Sequence, residues 1–186
     1  MKKIGIVGEN YQNDACAFKL LMTPQYKDRV TFIPIVKRPN TGIQKLGGLI
    51  RAEMENNKLD AVICLKDLDT HPELEEKEKW FSDLNKIIKK GVFYLVVMEL
   101  EALFLADMDN INAVFSLKNK LVYKGNPIKE LKPKEWLKNR TDGKYSENDS
   151  CKICRTINFE KVCTTHTGER SFQEFIVHFN DLLEKN

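Results

Sequence analysis

Ala61 to Leu65, Ala-Val-Ile-Cys-Leu, is an unbroken run of β-prone apolar residues, the composition of a strand covered on both faces in the middle of a parallel sheet. Directly after it the chain turns acidic. Asp67 and Asp69 sit two apart, so in an extended backbone both carboxylates leave on the same side. Like charges held that close repel, and the pair becomes favourable when a hard divalent cation such as magnesium lies between them. Thr70-His71-Pro72-Glu73 follows as a capped helix start, so helix capping is the competing account of the same two aspartates.

Around this stretch strand and helix patterns alternate. Lys3 to Val7 is a first strand ending at Gly8-Glu9-Asn10, with Glu9 just past its carboxyl end. Asp14 is expected to cap a helix through Ala15, Phe18, Leu21 and Met22 that stops near Pro24. Val30 to Val36 is the next strand, and Pro34, which has no N–H to donate, assigns it to a sheet edge. Asn40 and Thr41 offer caps for a helix carrying Ile43, Leu46, Ile50 and Met54, although Gly47 and Gly48 weaken its middle. Past Asp69, Leu74, Phe81, Leu84 and Ile88 mark a helix whose outer face is charged and solvated, and Val92 to Met98 is a fourth strand. Such alternation predicts an α/β fold with an open parallel sheet and helices on both faces.

Met98-Glu99-Leu100-Glu101-Ala102-Leu103-Phe104-Leu105-Ala106-Asp107 is a helix start at the exit of the fourth strand. In an open parallel sheet the loops at the strand carboxyl ends gather along one edge, so Glu9, Asp67, Asp69, Glu99 and Glu101 are expected to converge. Near a positive helix end, Glu99 and Glu101 could equally be glutamates that complement the dipole.

From Lys118 to Arg140 the composition turns basic. Lys118, Lys120, Lys124, Lys129, Lys132, Lys134, Lys138 and Arg140 face only Glu130 and Glu135, with Tyr123 and Trp136 interleaved. Such a segment can follow a phosphate backbone and offer rings for stacking, or it can simply be solvated. Phe172, Phe175, Ile176, Phe179, Leu182 and Leu183 then form the apolar stripe of a last helix behind a Ser171-to-Glu174 capping box.

The 186 residues carry a net charge of +3, too little to identify a partner by itself. No apolar run approaches the ~20 residues of a membrane span, and the start leads straight into a strand, so no membrane and a cytoplasmic location are expected. Five cysteines without a secretion signal fit reduced thiols. Cys151-x-x-Cys154 and Cys163-x-x-His166 have the ligand types for a zinc tetrahedron. The eight intervening residues are fewer than most zinc modules use, and Ile153, Ile157, Phe159 and Val162 suggest a strand or hairpin with buried thiols, so zinc is not the expectation there. Neither a Gly-x-Gly-x-x-Gly fingerprint nor a Walker A loop is present.

An acidic residue after the first strand and Asp-x-Asp after the third resemble the Toprim domain of topoisomerases, primases and nucleases of the overcoming-lysogenization-defect type. Glu99 to Asp107 is similar to a motif of small bacterial Toprim-like proteins, some associated with antiviral defence. The resemblance covers roughly Lys2 to Asp107 and implies a Toprim-like (Rossmann-like) sheet of order 2-1-3-4; the α/β domain is expected over residues 1–110, with residues 111–186 a basic extension and final helix packed on the same unit. It implies a nuclease-type phosphodiesterase using magnesium or manganese, with Glu9 as general acid or base and Asp67 and Asp69 on the metal. Within that mechanism Glu99 joins the metal ligands and Glu101 handles protons, while Lys66, Lys129, Lys132 and Lys134 contact nucleic acid. The family usually has Glu-Gly where this chain has Gly8-Glu9, with Asp14 one position later than the common spacing. A partner ATPase is left open. The alternatives are a non-catalytic nucleic-acid-binding or sensor component with this fold, and a receiver-like signalling module. A receiver would want an acidic pair after the first strand and a lysine after a fifth, and neither is evident.

Overall fold

Along the central strands successive side chains are buried on opposite sides, which requires a layer of helices on each face of the sheet. The computed structural model describes residues 1–38, 41–67, 74–89, 91–96 and 99–184. β1 (Lys2–Val7) lies between β2 (Val30–Pro34) and β3 (Ala61–Asp67), all parallel, with Ile4 opposite Phe32 on one side and Ala61 on the other. β4 (Val92–Val96) pairs parallel with β3, placing Val96 opposite Asp67, so the strands run β2-β1-β3-β4. Among the described residues β2 pairs with β1 alone, the edge position that Pro34 requires.

One face of β3, Val62 and Cys64, packs on Leu46 and Ile50 of α2 (Ile43–Asn57) and on Phe81, Leu84 and Ile88 of α3 (Leu74–Ile88). Gly47 lets these two helices close: a Cβ there would lie 2.5 Å from the Cγ2 of Ile87. A glycine that weakens a helix by propensity thus serves its packing.

The other face, with Ile4, Ile6, Phe32, Ile63, Leu65 and Tyr94, is covered by α1 (Ala17–Tyr26) and by elements that follow the sheet. These are α4 (Glu101–Phe104), α5 (Met108–Val114), α6 (Pro133–Arg140), α7 (Ser150–Cys154), α8 (Phe159–Thr165) and α9 (Phe172–Glu184). An aromatic cluster holds the layers together: Tyr94 lies 4.5 Å from Phe175, and Phe18 lies 5.7 Å from Phe175 and 6.2 Å from Phe172, centroid to centroid. Such ring pairs add ~0.5–1.5 kcal/mol each beyond the area they bury. Lys2 Nζ donates to the carbonyls of Leu182 and Leu183, each at 3.0 Å, placing a cation at the carboxyl end of α9. Residues beyond 110 therefore share one core with the sheet.

Several elements differ from expectation. The chain after β1 enters a π-helical turn (Tyr11–Cys16) capped by Asn10, whose side chain accepts from the N–H groups of Gln12 and Asn13; Asp14 is not the cap. α1 runs past Pro24 to Tyr26, because the buried Tyr26 ring packs at 5.1 Å on Phe179 and carries the helix through. β2 ends at Pro34, and Val36 turns to a φ of 56°. Gly42, not Thr41, caps α2, its carbonyl accepting from the Leu46 N–H; Asn40 lies outside the described residues, as do Thr70 to Glu73 and Met98. The stretch expected as a strand or hairpin forms α7 and α8 instead, the latter capped by Asn158, which accepts from the Lys161 N–H. At α9 half of the expected box forms, with Ser171 Oγ accepting from the Glu174 N–H, while the return bond shifts by one residue and the Glu174 carboxylate accepts from the Arg170 N–H.

Candidate functional site

The pleat of β3 sorts the acidic edge. Val62 and Cys64 point towards α2 and α3, and Lys66 continues that set, with its ammonium 5.2 Å from the Trp80 ring on α3. Asp67 continues the opposite set of Ile63 and Leu65. Two residues beyond β1, Glu9 meets Lys66: the ammonium donates to Glu9 Oε1 at 2.5 Å, both side chains being partly exposed. The register that sets Val7 beside Cys64 brings these two exits level.

Gly8 is needed at this corner. A Cβ on it would lie 2.5 Å from the Asp14 Cβ and 3.0 Å from the Ala15 nitrogen, so only glycine lets the π-helical turn fold back on the strand end. That fold-back leaves Asp14 half-buried, with its Oδ2 accepting from the Asn10 N–H at 2.6 Å. Burial first, then the charges of Glu9 and Glu147, push its carboxyl up to about 6, against the Asn10 hydrogen bond and the Lys134 charge, which lower it.

Beyond β4, Glu99 and Glu101 have separate partners. Glu99 accepts from the Lys134 main-chain N–H at 2.9 Å and pairs with the Lys134 ammonium at 3.1 Å, closing the first turn of α6. The same ammonium lies 3.4 Å from Glu147. Burial draws the Lys134 pKa down, but the Glu99 hydrogen bond and the charges of Glu101, Glu99 and Glu147 outweigh it and hold the ammonium above its ordinary value. Glu101 is buried at 4 % exposure and accepts a hydrogen bond from the Tyr145 hydroxyl. Burial raises its carboxyl above the usual range, with Tyr145 and Lys134 opposing and Glu99 adding to the rise.

The strand exits thus bring together Glu9 with Lys66, and Glu99 with Lys134 and Glu147; Glu101 sits behind Tyr145, and Asp67 ends β3. Asp69 lies outside the described residues. Asp14, Glu147 and Tyr145 belong to this neighbourhood without being expected as site residues. Lys129 and Lys132 stay exposed, whereas Lys134 is drawn into the acidic edge. Asp107, the last residue of the Glu99-to-Asp107 motif, ties α5 to α8: it accepts from the Asn158 N–H at 2.9 Å and the Lys161 ammonium at 3.1 Å.

All the candidate metal donors are carboxylate oxygens, the kind a hard divalent cation takes. Among the described residues no three His, Cys, Asp or Glu side chains gather closely enough to hold one ion, and Glu9, Glu99 and Glu101 each accept a hydrogen bond from a protein donor. His166, at the end of α8, accepts the Phe172 N–H on Nδ1 at 3.0 Å.

Comparison with protein-family models, curated proteins and solved structures finds no match to this chain. No described helix is long and apolar enough to cross a membrane.

Proposed function

We propose that this α/β protein is a Toprim-like phosphodiesterase that acts on nucleic acid with a divalent cation at the carboxyl edge of its sheet. The observation that supports this reading is the placement of carboxylates along one sheet edge: Glu9 follows β1, Asp67 ends β3 and Glu99 follows β4, on neighbouring parallel strands. Magnesium or manganese, when bound, would supply charge stabilisation for the transferring phosphoryl group and an acidified water. Asp67 and Asp69, with Glu99, would hold it. Glu9, with one oxygen facing Lys66, keeps a second for proton transfer, and Glu101, raised by burial, can give or take a proton at the oxygen that meets Tyr145. Lys66 would bring positive charge to a phosphate beside Glu9.

The Glu9–Lys66 and Glu99–Lys134 pairs favour one second reading, a non-catalytic nucleic-acid-binding or sensor component in which internal cations take the place of metal. Incubation of the protein with single-stranded DNA, duplex DNA and RNA, in manganese or in EDTA, separates the two. Cleavage that needs metal and disappears in Asp67→Asn is expected; intact polymers under every condition would leave the non-catalytic protein.

A further inference from the structure

Residues Lys120 to Lys124 form a strap without regular secondary structure, held to the helix before it. The Asn112 side chain of α5, itself buried, accepts from the Leu121 N–H at 2.8 Å and donates to the Leu121 carbonyl at 2.9 Å. Alternation then sends Lys120, Val122 and Lys124 to solvent, while Leu121 and Tyr123 turn inward. Tyr123 meets Trp136 of α6 edge to face at 5.3 Å and donates its hydroxyl to Glu130 at 3.1 Å. Arg140, one helical turn after Trp136, sets its guanidinium 5.9 Å from the indole.

Between strap and helix lies an open cavity of about 360 Å³, lined by Lys120, Val122, Tyr123, Lys124, Trp136 and Arg140 together with Leu121. That volume is at the small end of ligand sites. Its lining has three exposed cations, two aromatic rings and no carboxylate. Val122, 66 % exposed, adds apolar surface at the rim. Cations spaced along a groove beside an indole match a phosphodiester chain carrying an unpaired base, since stacking needs the open face that a duplex hides.

We propose that this cavity holds one unpaired nucleotide of a single-stranded nucleic acid, its base stacked on Trp136 and its flanking phosphates held by Lys120, Lys124 and Arg140. The site differs from the expected set of Lys129, Lys132 and Lys134. It rests on the proposed function only for the class of polymer, and it stands whether or not the acidic edge cleaves.

The full-length protein is titrated with short oligothymidylate and oligouridylate in EDTA, which keeps metal chemistry out. Trp80 and Trp136 are the 2 tryptophans, so Trp80→Phe leaves Trp136 as the reporter. Its emission is expected to be quenched at saturation. Trp136→Ala should bind about tenfold or more weakly and Trp136→Phe should retain most of the affinity. Replacing the three exposed cations by glutamine should flatten the salt dependence by about 0.7 of slope per lost phosphate contact, and it decides the matter should Trp136→Ala fail to fold. Unchanged Trp136 emission at saturation, an unchanged salt slope, a duplex or a thymidine monophosphate bound as tightly as the oligonucleotide, or no binding at all would overturn the proposal. Loss of cleavage with this binding intact would count against the phosphodiesterase alone.

Discussion

Glu99 holds Lys134 twice, accepting from its main-chain N–H at 2.9 Å and facing its ammonium at 3.1 Å. One carboxylate therefore both starts α6 and ties it to the exit of β4. Glu99→Ala should destabilise the fold by about 1–2 kcal/mol, since it removes a cap and leaves Lys134 a poorer partner, and Glu99→Gln should lose less because an acceptor remains. Urea unfolding at neutral pH measures both. If Ala and Gln prove equally harmless, Glu99 does not organise the start of α6.

Tyr145 is the hydrogen-bond donor to the buried Glu101 carboxylate. Tyr145→Phe should cost roughly 1–3 kcal/mol, because a buried acceptor loses its partner. The deficit should shrink as pH falls, since burial already favours the protonated form of Glu101. Glu101→Gln keeps an acceptor for Tyr145 and should change stability little. Nuclease activity lost in that variant, with its unfolding curve near that of the unmodified protein, would mark proton handling, whereas full activity would make Glu101 purely architectural.

Two titratable groups, the buried His166 and the half-buried Asp14, give stability opposite pH dependences. Burial lowers the His166 pKa from 6.5 to about 4, so across that window the unfolded chain binds more protons and stability is lost as pH falls, by roughly 3 kcal/mol over the whole range. Asp14 is raised from 3.8 to about 6, so there the folded chain binds more protons and stability grows as pH falls. The two partly cancel between about pH 4 and 6. Asp14→Asn should therefore make the acid loss of stability steeper, and His166→Gln should make it shallower. Parallel unfolding profiles of all three proteins over that range would contradict both assignments.

The strands were legible because a buried parallel strand is a local composition: Lys3 to Val7 and Ala61 to Leu65 announce themselves, and the missing N–H of Pro34 consigns β2 to an edge. Glu9 could be placed at a strand exit for the same reason. Its pairing with Lys66 could not, because it depends on the β1–β3 register. Lys134 lies in a run of lysines and looks like solvated charge, yet α6 folds it back onto Glu99, a pairing across 35 residues with no periodic trace. Some of the caps do carry a local signature. Asn10 was a better cap than Asp14, and Ser146-Glu147-Asn148-Asp149 is a capping-box pattern ahead of α7, whose two reciprocal hydrogen bonds the structure contains. In Cys151 to Val162 the β-branched residues outweighed those caps, although helices this short are set by caps and packing more than by propensity.

The central claim is a divalent cation at the carboxyl edge, and thermal unfolding in manganese tests it most directly. A cation bound by carboxylates that converge only in the folded chain stabilises by mass action, about 2.7 kcal/mol at a hundred times its Kd. The melting temperature of the unmodified protein should climb steadily with manganese or magnesium, while Asp67→Asn and Asp69→Asn, folded by circular dichroism, should climb little or not at all. No rise at millimolar metal, or the same rise in all three proteins, would contradict a metal centre and leave the acidic edge as a set of internal ion pairs and helix caps.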